Sequence, residues 1–89
     1  MIPFTIAKCK TRAGYSAKLE KKQKLDLPRI KEEFDTILET SILLVVRVEG
    51  VEVIVHGYGE LLFKECEDIV LMRKIAEKIY GVGIIPPHN

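Results

Sequence analysis

Eighty-nine residues, 47% apolar and 30% charged, specify one globular domain and exclude a disordered chain. The longest unbroken apolar run, Ile42–Val46, is far shorter than the roughly 20 residues a membrane-spanning helix needs, so no membrane partner is expected. The net charge of +1 hides an imbalance: residues 1–31 carry nine bases and two acids (+7), and the remainder five bases and eleven acids (−6).

Phe4–Lys10 alternates, with Phe4, Ile6 and Lys8 on one side and Thr5, Ala7 and Cys9 on the other, as a strand does. Thr11-Arg12-Ala13-Gly14 reads as a turn. Tyr15–Lys24 is too polar for a core element and fits a second hairpin strand, a surface helix or a mobile basic loop. Asp26-Leu27-Pro28 starts a short helix over Leu27–Asp35, with an acid as N-cap and Pro in the first turn. Its apolar stripe is Leu27, Ile30, Phe34 and Ile37 or Leu38, and Thr36–Thr40 leads on into the sheet.

Three strands follow, Ser41–Glu49, Val51–His56 and Glu60–Glu65. Glu49-Gly50 fits a two-residue hairpin turn, and Gly57-Tyr58-Gly59 a three-residue connection. A helix then begins at an Asp68 cap and ends at Gly81, a glycine of the kind found just past a helix terminus. Ile69, Met72, Ile75, Ala76 and Ile79 form its buried stripe. Pro86-Pro87 stops further structure. The expectation is one α+β domain over 1–83 with a loose tail over 84–89. Its order is β-α-β-β-β-α, an antiparallel sheet with two helices on one face.

The two turns set the strand register and therefore the faces. Val48 meets Val51, Arg47 meets Glu52 and Val45 meets Ile54; Ile54 meets Leu62 and Glu52 meets Lys64. One face is Ile42, Leu44, Val46, Val48, Val51, Val53, Val55, Leu61 and Phe63, wholly apolar, and the helices must cover it. The other carries an alternating charge ladder, Arg47–Glu52–Lys64. Beside it run an apolar row, Val45–Ile54–Leu62, and a mixed row, Leu43–His56–Glu60. A slip of one residue would bury the ladder, so the register is strongly specified. A chain this short buries only about 60–65% of its unfolded surface, which favours dimerisation. The ladder and apolar row, Arg47, Glu52, Lys64, Val45, Ile54 and Leu62, are therefore the candidate partner surface.

No catalytic constellation emerges. There is no CxxC, HExxH or phosphate loop, so neither cofactor nor metal site is expected. His56 lies at a strand end beside Glu60, where a carboxylate would hold it charged, and His88 lies in the tail. Cys66 precedes a helix N-terminus, a place that lowers a thiol pKa, but no histidine is near it in this register. Cys9 and Cys66 make no disulfide framework, and Met1-Ile2-Pro3-Phe4 is not a leader, so a cytoplasmic chain with reduced thiols is expected. The basic third offers Lys8, Lys10, Arg12, Lys18, Lys21, Lys22 and Lys24 to a nucleic acid. Glu52 and Glu60 on the open face would repel phosphates. The expected role is a non-catalytic binding or assembly module, homodimeric through the sheet, with nucleic-acid binding as the alternative.

Three segments carry a resemblance: Asp26-Leu27-Pro28-Arg29-Ile30, the stretch Val53–Phe63, and Ile75–Tyr80. With the order of elements they are similar to one repeat of the TATA-binding-protein fold, over residues 26–80. In that family two fused repeats form a saddle whose concave sheet bends DNA at the minor groove. The resemblance implies the fold, and implies that a single repeat must dimerise to build a comparable saddle. The family's paired Phe wedges are not evident here, so its DNA-reading residues do not carry over.

Overall fold

The computed structural model of the protein describes residues 3–8 and 14–84. They hold β1 (Phe4–Lys8), β2 (Tyr15–Leu19), α1 (Leu27–Glu33), β3 (Asp35–Glu39), β4 (Leu43–Val48), β5 (Val51–His56), β6 (Leu61–Phe63) and α2 (Ile69–Gly83). The strands form one antiparallel sheet in the order β1-β2-β6-β5-β4-β3. The α+β class is as expected, but the expected order of elements lacks two strands, β2 and β3.

β2 is the hairpin-strand option for the polar segment after Gly14. Its polarity misleads because the strand is interior to the sheet. It pairs with β1 on one side (Phe4 opposite Leu19, Lys8 opposite Tyr15) and with β6 on the other (Ser16 opposite Leu62, Ala17 opposite Leu61). Ala17 and Ser16 are buried, small enough to fit beneath larger neighbours. β3 occupies what reads from sequence as a lead-in. The helix before it ends at Glu33, and Phe34 is already extended. Asp35 pairs with Arg47, Thr36 with Val46 and Leu38 with Val45, with a register shift at Ile37. Thr40 then reverses the chain: its hydroxyl oxygen accepts from the backbone N–H groups of Ile42 and Leu43 at 3.2 and 3.1 Å.

The β4–β5–β6 register agrees with the sequence reading at every pair, from Val48 opposite Val51 to Ile54 opposite Leu62. Glu49 (φ 49°) and Gly50 (φ 81°) both take positive φ, as a two-residue hairpin turn matched to strand twist requires. α2 also reaches this turn: Lys74 and Lys78 donate to the Glu49 carboxylate at 3.4 and 2.9 Å. These lysines hold the Glu49 carboxyl below its usual value, the Lys78 hydrogen bond contributing most.

Both helices lie over one face. Ile30 of α1 and Met72, Ile75, Ala76, Ile79 and Tyr80 of α2 join Leu44, Val46, Val53, Val55, Leu61 and Phe63 in a single core. Several members of the expected buried sets are not there. Ile37 and Leu38, the alternatives for the last position of the α1 stripe, belong to β3 and are 45% and 53% exposed, because α1 ends at Glu33. Ile42 is 70% exposed because it sits in the β3–β4 turn, and Ile69 is 48% exposed in the first turn of α2. Gly81 does not end α2, which runs on to Gly83 because its last turn packs on α1 and the linker. The Gly83 carbonyl accepts from the Asp26 N–H at 2.8 Å. A Cβ at Gly83 would meet Ile30 Cδ1 at 2.6 Å, so a larger residue here would have to displace the Ile30 side chain. The tail expected over 84–89, with Pro86, Pro87 and His88, lies outside the described residues apart from Ile84.

Candidate functional site: the helix-free sheet face

Side chains that alternate with the core residues point away from the helices. The structure brings together Val45, Ile54 and Leu62 as direct cross-strand neighbours, all half-buried. β3 and β2 lengthen the row on either side, to Leu38–Val45–Ile54–Leu62–Ser16–Ala7 across all six strands. Leu38 is 53% exposed at the edge. Sequence reasoning missed Leu38 and Asp35: strict alternation over Asp35–Glu39 would put them on opposite faces, and the register shift at Ile37 is what brings them onto one.

The charge ladder also forms. Arg47 is opposite Glu52, and the Lys64 N–H donates to the Glu52 carbonyl at 3.0 Å, holding Lys64 beside that strand. Asp35 opposite Arg47 adds a fourth member. Across β3, β4, β5 and the end of β6 the signs run minus, plus, minus, plus. None of these four charges closes an ion pair within 4.0 Å among the described residues.

On the other flank of the apolar row, Leu43 is opposite His56. The His56 ring stacks on Tyr58 at 5.2 Å, 27° from parallel. The Tyr58 hydroxyl donates to Glu60 Oε1 at 2.8 Å, which pushes the phenol pKa up. Lys18 reaches Glu60 Oε2 at 4.0 Å. The Glu60 carboxylate is thus engaged by Tyr58 and Lys18, and the expected His56–Glu60 charge pair does not form.

The basic residues divide. Lys18, Lys21, Lys22 and Lys24 are exposed around the end of β2, next to the Gly57–Gly59 turn, where Leu25 N–H bonds the Gly57 carbonyl at 2.8 Å. Lys8 lies at the opposite end of the hairpin, three residue steps away and so on the order of 10 Å. Lys10, Arg12 and Cys9 lie outside the described residues.

Cys66 is buried, its thiol 3.9 Å from the Asp68 carbonyl, at the end of the sheet away from His56. No group of three or more His, Cys, Asp or Glu among the described residues is arranged to hold a metal. No helix among them is long and apolar enough to cross a membrane. The chemistry this face offers is therefore apolar contact bordered by ordered charge. Comparisons with family models, with curated proteins and with solved structures return no match for the chain.

Proposed function

We propose that the protein is a non-catalytic binding or assembly module that pairs with a second copy of itself through the helix-free face. The observation that carries this reading is the aliphatic row Leu38–Val45–Ile54–Leu62, in line across four neighbouring strands and covered by neither helix. Isolated surface aliphatics are ordinary, but four in register make a continuous strip. The charge ladder borders it on one side and the mixed row Leu43–His56–Glu60 on the other. Six strands about 4.8 Å apart and three to six residues long make a face of roughly 500 Å² in projection. That is at the small end of stable interfaces, which bury about 800 Å² per partner, so a weak, transient dimer is expected. The cytoplasm, where Cys66 stays reduced, fits a chain with two cysteines.

Sedimentation velocity from about 5 to 500 µM tests the reading. A monomer–dimer equilibrium in the wild type that Ile54→Lys abolishes is the expected result. A wild type that stays monomeric throughout the range would end it.

A second reading is favoured by one observation: Lys18, Lys21, Lys22 and Lys24 surround the corner that carries the His56–Tyr58 stack, with Tyr58 55% exposed. An exposed aromatic amid lysines suits a single-stranded nucleic acid. Lys8, Lys10 and Arg12 would extend that contact along the hairpin. Glu20 and Glu60 stand in the same corner and oppose it. Anisotropy with labelled single-stranded and duplex DNA and RNA at two salt concentrations decides the matter, because binding without salt sensitivity does not use the lysines. Face-to-face pairing would also close the sheet surface that a DNA-bending saddle keeps open.

A further inference from the structure

We infer that the self-associated form is a face-to-face dimer whose two-fold axis runs along the strands, between β4 and β5. This rests on the reading of the open face as a self-association surface and specifies how two copies meet there. The reason is the sign order of the ladder. Read across β3, β4, β5 and the end of β6, Asp35, Arg47, Glu52 and Lys64 alternate minus, plus, minus, plus.

A two-fold rotation about an axis along the strands reverses this order and lays it on itself. Asp35 then faces Lys64 of the second copy, and Arg47 faces its Glu52. Symmetry makes each contact twice, so all eight charges meet an opposite sign. The same rotation sets Leu38 against Leu62 and Val45 against Ile54, apolar on apolar. An isologous interface must be self-complementary in this way.

Geometry permits the match. Aligned sheets pack about 10 Å apart and cross at about 30°. The ladder lies two residues from the apolar row, about 7 Å, so the crossing displaces it sideways by roughly 3 Å. That is less than one strand spacing, and Arg47 stays over Glu52. An axis across the strands is worse: it would lay Arg47 on Leu43 of the second copy, desolvating a guanidinium with no acid opposite. The ladder charges are also unpaired within the monomer, so they bring no competing ion pair that must first break.

Charge exchange tests the register. Arg47→Glu gives the order minus, minus, minus, plus, and Glu52→Arg gives minus, plus, plus, plus. Each variant opposes itself with like charges at the centre, yet the two complement each other at every position. Sedimentation at low ionic strength should show each single variant self-associating about tenfold more weakly than wild type. Their equimolar mixture should recover most of that loss as a heterodimer. The double variant R47E/E52R keeps opposite signs within one chain and so guards against a folding defect. It should self-associate like wild type but fail to pair with labelled wild type. If the mixture stays as weak as its components, or the double variant pairs freely with wild type, this register is overturned. Should Ile54→Lys still abolish association in that case, the sheet-face dimer itself survives. A wild type without any self-association removes both.

Discussion

Tyr80 offers the sharpest test of how this sheet is held together. Its side chain is fully buried, and its hydroxyl lies 2.7 Å from the Gly59 carbonyl and 3.2 Å from the Ala17 carbonyl. It therefore donates into the junction between the β5–β6 turn and β2, while its ring stacks obliquely on Phe4 at 5.4 Å. Tyr80→Phe keeps the ring and deletes the donor. A net hydrogen bond contributes about 1 kcal/mol, and leaving buried carbonyls short of a partner adds to the loss, so about 1.5 kcal/mol is expected at pH 7. For a domain of this size that is a fall in Tm of roughly 6–12 °C.

The same residue predicts how the difference changes with pH. Burial raises the Tyr80 pKa well above the usual phenol value, and the Glu60 charge adds to the rise. A raised folded pKa means the contribution is complete below the unfolded pKa, near 10, and is lost as pH rises above it. At pH 11 the unfolded phenol is mostly ionised while the native one keeps its proton, which costs the wild type about 1.4 kcal/mol. The variant has no such group, and all other titrations are common to both proteins. Urea denaturation at fixed protein concentration should therefore show a gap of about 1.5 kcal/mol at pH 7 that nearly closes at pH 11. An equal gap at both pH values would refute the account of Tyr80 as a buried, proton-holding donor.

Glycines separate open helix surface from close backbone approach. At Gly81 a Cβ meets nothing within 4 Å, so Gly81→Ala should raise stability in thermal melts by about 1 kcal/mol. At Gly14 the φ of 142° and a Phe63 carbonyl 2.9 Å from the Cβ position predict the opposite, a loss of about 1–3 kcal/mol for Gly14→Ala. Asp68 accepts from the Leu71 N–H at 3.1 Å as the N-cap of α2. Asp68→Ala should cost about 1 kcal/mol in denaturant titrations. The Glu49 carboxyl, lowered by Lys78 and Lys74, contributes above its unfolded value of 4.5 and loses that contribution as pH falls. Glu49→Gln should thus differ from wild type at pH 7, and the difference should vanish in acid; a difference independent of pH would contradict the pairing.

Much of the site was legible because hairpin register is local. Once Glu49-Gly50 is a two-residue turn, every pair back to Leu43 opposite His56 follows by counting, and period-two alternation assigns each residue a face. That is why Val45, Ile54, Leu62, Arg47, Glu52 and Lys64 fall where the sequence places them. Helix starts are equally local, since Asp26 and Asp68 each bond the N–H three residues on. Ile42 and Ile69 show the limit. Both fit an apolar pattern, but a turn and a helix's first residue leave them outside the core.

Composition, the helix caps and the β4–β5–β6 register were thus determined by the sequence alone, through contacts between residues near one another in the chain. Tertiary structure decided the rest. Tyr15–Leu19 is a strand because β1 and β6 offer it backbone partners on both edges, and β6 lies more than 40 residues away. Its polar side chains carry no sign of that. β3 completes both the apolar row and the ladder, and only its pairing with β4 puts Asp35 and Leu38 in line with them. The sign order on which self-recognition turns therefore has three members readable from sequence and a fourth, Asp35, supplied by how the sheet is assembled.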